Sequence, residues 1–186
     1  MFDHGLEQGY VLPDLLAPKL KIIFIGTAAS AMSAKTKSYY AHPGNLFWPT
    51  LHKVGLTPRQ FAPAEFPQLL DLGIGLTDIA KTATGSDAQI PDDAWNADAV
   101  LDKIRRWQPR YVGFTSKAAA TLSLGLKKVA YGLIHADKIV LTKNSSGMMP
   151  QGLGETGLFV LPSPSGRARG YWDETWWAKL ARLCDP

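Results

Sequence analysis

Apolar residues along this chain fall into two alternating rhythms: short unbroken runs, and stretches with helical spacing. Lys21-Ile22-Ile23-Phe24-Ile25-Gly26 is an apolar run closed by glycine, the pattern of a strand buried on both faces. Gly73 to Ile79 and Tyr111 to Thr115 repeat it, and Ile139-Val140-Leu141 and Leu158 to Leu161 are two shorter candidates. Between them, Asn45 to Val54 carries Leu46, Trp48 and Leu51 at helical spacing and stops at Gly55. Pro67 to Leu72 reads as a helical turn. Asp92-Asp93 is expected to open a helix with Val100, Leu101 and Ile104 on one face, Arg105-Arg106 in its last turn and Pro109 beyond. Helices are further expected over 117–126 and 173–183, and loops over 28–43 and 81–91. Residues 1–18 form a polar, proline-punctuated arm expected to be poorly ordered, leaving 19–186 as one domain.

Strands separated by helices predict an α/β fold, a three-layer α/β/α sandwich around a mostly parallel sheet. Ligands of such sheets bind beyond the carboxyl ends of the strands. The strand at 21–26 feeds a segment running Gly26-Thr27-Ala28-Ala29-Ser30-Ala31-Met32-Ser33 and on to Tyr39-Tyr40-Ala41-His42-Pro43-Gly44-Asn45-Leu46-Phe47-Trp48. The strand at 158–161 feeds Pro162-Ser163-Pro164-Ser165-Gly166-Arg167-Ala168-Arg169. Both segments therefore belong on one rim.

Composition narrows the chemistry. With 46% hydrophobic and 19% charged residues over 186 positions, the chain reads as one globular domain. Its net charge of +4 favours a polyanionic partner only mildly. The single cysteine, Cys184, excludes an internal disulfide and a multi-cysteine metal site, and is consistent with a reducing, cytoplasmic setting. No apolar run is long enough to span a membrane, and the N-terminal residues, with Asp3 and Glu7, lack the pattern of a signal peptide. The Gly26–Ser30 turn is not a phosphate-binding P-loop, because the glycine-lysine-Ser/Thr ending is absent. In the second segment, hydroxyls and free amides in a tight turn are natural phosphate ligands.

In order and spacing, the two segments resemble the active-site motifs of the mismatch-specific uracil/thymine DNA glycosylases, within the uracil-DNA glycosylase superfamily. The resemblance covers about residues 20–183. It implies a base-flipping enzyme that hydrolyses the N-glycosidic bond of uracil in G·U mismatches and of related damaged pyrimidines. Tyr40 is then the ring on which the extruded base stacks, and Thr27 and Ala28 offer backbone groups to the base edges. Ser33 borders the pyrimidine 5-carbon and favours uracil over thymine. Asn45 matches the asparagine of the Pro-x-Asn-x-Phe-Trp signature, although its leading role is to cap the following helix. Ser163, Ser165 and Gly166 grip the nucleotide and Arg167 is the wedge entering the duplex. Arg169, Lys35 and Lys37 contact phosphate.

One position departs from the family. The asparagine that positions the attacking water is replaced by Ala28, whose methyl group cannot hydrogen-bond water. Another branch of the superfamily also carries alanine here and uses an aspartate from elsewhere in the chain. The candidates for that carboxylate are Asp93 first, on a helix N-terminus that would favour its ionised form, then Asp78 and Asp87. Other readings are a catalytically idle protein that shields lesions or abasic sites, and a small-molecule enzyme using the same rim, against which Arg167 argues. A monomer acting on DNA, with no metal and no cofactor, is expected.

Overall fold

The computed structural model describes residues 9–135, 140–141 and 153–184. Its centre is a five-stranded sheet. The strands are β1 (Ile22–Ala29), β2 (Ile74–Thr84), β3 (Tyr111–Phe114), β5 (Gly132–Leu133) and β7 (Gly157–Val160), in the order β2-β1-β3-β7-β5. All neighbours run parallel except β5, which lies antiparallel on β7. A small antiparallel pair, β4 (Leu126–Lys128) with β6 (Val140–Leu141), sits apart. The helices are α1 (Ala31–Thr36), α2 (Phe47–Lys53), α3 (Ala97–Trp107), α4 (Lys117–Leu124) and α5 (Glu174–Cys184).

Strand alternation divides the core in two. Ile22 and Phe24 point to a layer with Tyr39, Phe47, Leu51 and Trp177. Ile23 and Ile25 point to one with Val112, Ile104 and Ala120. Sheet faces covered by α2 and α5 on one side and by α3 and α4 on the other make the expected three-layer sandwich. Phe24 stacks on Trp177 and meets the Phe47 ring edge-on, both at 5.4 Å between centroids, which ties the first segment to the closing helix.

Three local expectations change. β1 does not stop at Gly26 but continues to Ala29, because its neighbour β2 also runs on and pairs with it; Ala28 lies opposite Ala80. The stretch beyond holds a short helix rather than loop throughout: Ser30 caps α1 by accepting from the Ser33 amide. Asp92 and Asp93 do not begin α3. They form a separate 3-10 turn, Asp92–Ala94, and α3 starts at Ala97 behind Asn96, whose side chain accepts from the Ala99 amide. An asparagine cap four residues on outcompeted the acidic pair.

Residues 9–18, expected to be loose, lie against the exposed edge of β2. Leu15 and Leu76 exchange two backbone hydrogen bonds of 2.9 Å, the Val11 amide donates to the Lys81 carbonyl at 2.7 Å, and Leu12, Leu15 and Leu16 are buried. An open parallel edge is a pairing hazard, and this arm covers part of it. Residues 1–8 lie outside the described residues.

Candidate active site

The carboxyl ends of β1, β2, β3 and β7 meet on one rim, and strand register decides which side chains share it. Gly26 pairs with Asp78, so both residues face the aromatic layer of Phe24 and Phe47. Glycine at 26 lets the Asp78 carboxylate pack directly over the β1 backbone. A Cβ there would overlap Asp78 Oδ1 and stand 3.4 Å from the Tyr40 hydroxyl. The missing side chain thus leaves a recess in the rim that the Asp78 carboxylate fills, with the Tyr40 phenol beside it.

Asp78 is 4% exposed, and no side-chain hydrogen bond reaches its carboxylate among the described residues. Burial pushes its pKa up to about 6, partly offset by the positive charge of Lys81. Among the described residues only Ser123 Oγ is a fully buried side-chain polar atom without a partner, so the Asp78 oxygens keep contact with solvent and stay open as acceptors at the rim. Titratable groups perturbed in this way concentrate at functional sites.

Tyr40 holds its place by strain and stacking. Its φ is +52°, a left-handed conformation that a bulky side chain rarely adopts. Its ring lies 3.9 Å from that of Phe47 at an interplanar angle of 17°, and its hydroxyl stands 3.5 Å from Thr115 Oγ1. Thr115 in turn donates to the Ile25 carbonyl at 3.2 Å. Phe47 thus backs one face of the ring, and the residue is only partly buried.

The family model for the uracil DNA glycosylase superfamily matches residues 13–184, nearly the whole chain. The chain belongs to the uracil DNA glycosylase superfamily. Its fold is similar to that of a proposed uracil DNA glycosylase from Methanosarcina acetivorans, solved by NMR in solution. The TM-score is 0.62 and the identity 23%, over 94% of this chain and 97% of that one. The two loops that follow β1 and β7 are in contact. The Leu46 amide donates to the Pro164 carbonyl at 2.8 Å, and a Cβ on Gly166 would come within 3.1 Å of the Gly44 carbonyl, so this close approach favours glycine at 166.

The remaining candidates separate into those that line the rim and those that build it. Asn45 builds: its Oδ1 accepts from the Phe47 amide at 2.9 Å and caps α2. Ser33 also builds, being buried, with its hydroxyl accepting from the Ala41 amide and from Ser30 Oγ. That places the Ser33 side chain inside the loop. Thr27 and Ala28 are half-buried on the rim, and Thr27 Oγ1 donates to Asp87 at 2.7 Å. Ser163 and Ser165 accept from amides of their own loop, while Arg167 and Arg169 extend into solvent. Lys35 is exposed on α1, and Lys37 donates to the Val11 carbonyl, tying the loop to the arm.

Of the three carboxylates, Asp93 is exposed on its separate turn and Asp87 is exposed and bonded to Thr27, which leaves Asp78 as the buried one. Sequence reasoning missed Thr115 and the ionic cluster beside Asp78, formed by Asp14, Lys81 and Lys103. Parity along β2 was the available signal for Asp78: Ile74, Leu76 and Asp78 share one face, and two of the three are core residues. Among the described residues, no three His, Cys, Asp or Glu side chains converge to hold a metal ion. Nor is any helix among them long and apolar enough to cross a membrane.

Proposed function

We propose that this superfamily member is a monofunctional DNA glycosylase that flips uracil, from G·U mismatches and related damaged pyrimidines, out of the duplex and hydrolyses its N-glycosidic bond. Asp78 takes the part of the asparagine absent at position 28. The observation that carries the reading is the largely buried Asp78, whose carboxylate lies over Gly26 beside the Tyr40 hydroxyl with no side-chain hydrogen bond from the protein and its oxygens open to solvent.

The chemistry follows from that placement. Tyr40 supports the extruded base on its free face, and backbone groups of Thr27 and Ala28 meet the base edge. The ionised Asp78 accepts a hydrogen bond from water and opposes the positive charge that develops on the sugar as the bond to the base breaks. Water oxygen bonds to the sugar carbon, its proton passes to Asp78, and the bonding electron pair leaves with the base. Lysine-based attack with strand cleavage is disfavoured, because the Lys81 ammonium is already held by Asp14 at 2.8 Å and by the Tyr39 hydroxyl at 3.0 Å.

The direct test is incubation of purified protein with uracil-containing duplexes, followed by alkaline cleavage of the abasic product. Uracil release from a G·U duplex in EDTA is the expected result. Tight binding to abasic DNA without any release at enzyme excess points instead to the lesion-shielding role.

Arg167, exposed on the second loop, is proposed as the wedge that fills the gap left by the flipped nucleotide. Arg167→Ala should therefore slow excision from duplex DNA by at least about tenfold more than from a single strand, where the unstacking cost of a few kcal/mol is smaller. Equal losses on both substrates would mark it as a phosphate contact only.

A further inference from the structure

Beside the recess lies a group of buried charges that the hydrolytic scheme does not use. Asp14, on the arm, is ion-paired through Oδ1 to Lys81 of β2 at 2.8 Å and through Oδ2 to Lys103 of α3 at 2.6 Å. Its Oδ1 also accepts from Thr77 Oγ1 at 2.6 Å, and Lys103 reaches that same hydroxyl at 3.3 Å. Side-chain exposure is 5% for Lys81 and 15% for Asp14 and Lys103. Three charges from three elements have thus been taken out of water together. Burial alone would push Asp14 up; the two ammonium groups outweigh it and hold its pKa below the usual carboxylate value.

The charges do not cancel within the trio. Two lysines against one aspartate leave a single positive charge in a low-dielectric setting, which is costly unless something answers it. An anion without a salt bridge on the same strand is Asp78, one residue from Thr77 and three from Lys81 along β2. Lys81 and Lys103 both favour its ionised form, Asp14 opposes it, and Tyr40 and Tyr39 are the titratable groups facing it from the pocket loop. Lys81 places its ammonium on Asp14 and on Tyr39, so it biases Asp78 without occupying its oxygens.

We infer that Asp14, Lys81 and Lys103 are positioning residues whose one surplus positive charge keeps Asp78 ionised while leaving its acceptor atoms free for water. This rests on the assignment of Asp78 as the catalytic carboxylate, and it gives the arm a part in the active site. The docked segment supplies Asp14, and Tyr39 clamps it by donating to the Pro13 carbonyl at 2.9 Å.

The test is the pH dependence of single-turnover uracil excision in the full chain. Wild type should show one acid limb, which Asp78→Asn abolishes. Lys103→Met removes the surplus charge and should move the midpoint up by about 0.5–1 pH unit; Asp14→Asn raises the surplus to two and should move it down by a similar amount. The double variant Asp14→Asn/Lys103→Met restores a surplus of one, and its midpoint should return close to wild type. A merely structural cluster would lower the plateau and leave every midpoint in place, which overturns the inference. If Asp14→Asn does not fold, Lys103→Met decides alone: a raised midpoint supports the inference, an unmoved one overturns it. An acid limb absent from wild type, or retained in Asp78→Asn, overturns the Asp78 assignment itself and the inference with it. That result is distinct from a limb that is present but immovable.

Discussion

Asp78→Asn is expected to lower single-turnover uracil excision by at least about 10²-fold while making the protein more stable at neutral pH. The two effects share one cause. A carboxylate whose folded pKa lies near 6 rather than the ordinary 3.8 is more protonated in the folded chain than in the unfolded chain between those values. Its contribution to stability is therefore full below about pH 4 and falls as pH rises through 6. Above that range the fold carries the cost of a largely desolvated anion, partly offset by Lys81. Asparagine removes the charge at nearly constant volume, and the gain at pH 7 should be on the order of 1–3 kcal/mol, or roughly 3–8 °C in Tm. Below about pH 4 the gain should vanish. Asp93→Asn and Asp87→Asn should keep excision within about threefold of wild type, because both side chains are exposed outside the recess. Loss of activity in Asp93→Asn, with Asp78→Asn unaffected, would refute the assignment. DNA affinity should scarcely change in Asp78→Asn, since a carboxylate that opposes a transient positive charge has its value mainly in the transition state.

The layered α/β fold could be read from the chain because its strands are unmixed apolar runs. Ile22 to Ile25 is buried on both faces, and only a central parallel strand asks for that. The pocket loop was legible as a motif but not as geometry. The +52° φ of Tyr40 and the Asn45 cap on α2 come from backbone conformation, and no spacing rule reports either. Asp93 was favoured as the carboxylate because acidic residues ahead of an amphipathic stretch imitate a helix start, whereas the cap that formed was Asn96. Asp14 was invisible for a different reason. A polar, proline-containing arm resembles disorder until its leucines have a surface to cover, and that surface, the β2 edge, exists only after the sheet has formed. Burial of Lys81 and Lys103 likewise required a partner more than sixty residues away in sequence.

Gly26→Ala should be the second most damaging change to activity and among the gentlest to the fold. The residue has an ordinary backbone conformation, so alanine faces no strain there, and as a β1 residue it gives up no hydrogen bond. What alanine adds is one methyl group in the recess, overlapping Asp78 Oδ1 and 3.4 Å from the Tyr40 hydroxyl. The carboxylate is the movable partner: rotating it relieves the overlap at the cost of an off-rotamer side chain, about 1 kcal/mol. Stability should therefore fall by no more than about 1–2 kcal/mol. Excision should fall by about 10²-fold or more, because a reacting group misplaced by an ångström loses most of its advantage. The pH profile separates this loss from that of Asp78→Asn: alanine at 26 displaces the carboxylate but keeps it, so an acid limb should survive on the lowered plateau. A variant with wild-type excision would mean that the placement of the carboxylate over Gly26 does not matter for excision, and the role given to Asp78 would have to be withdrawn with it.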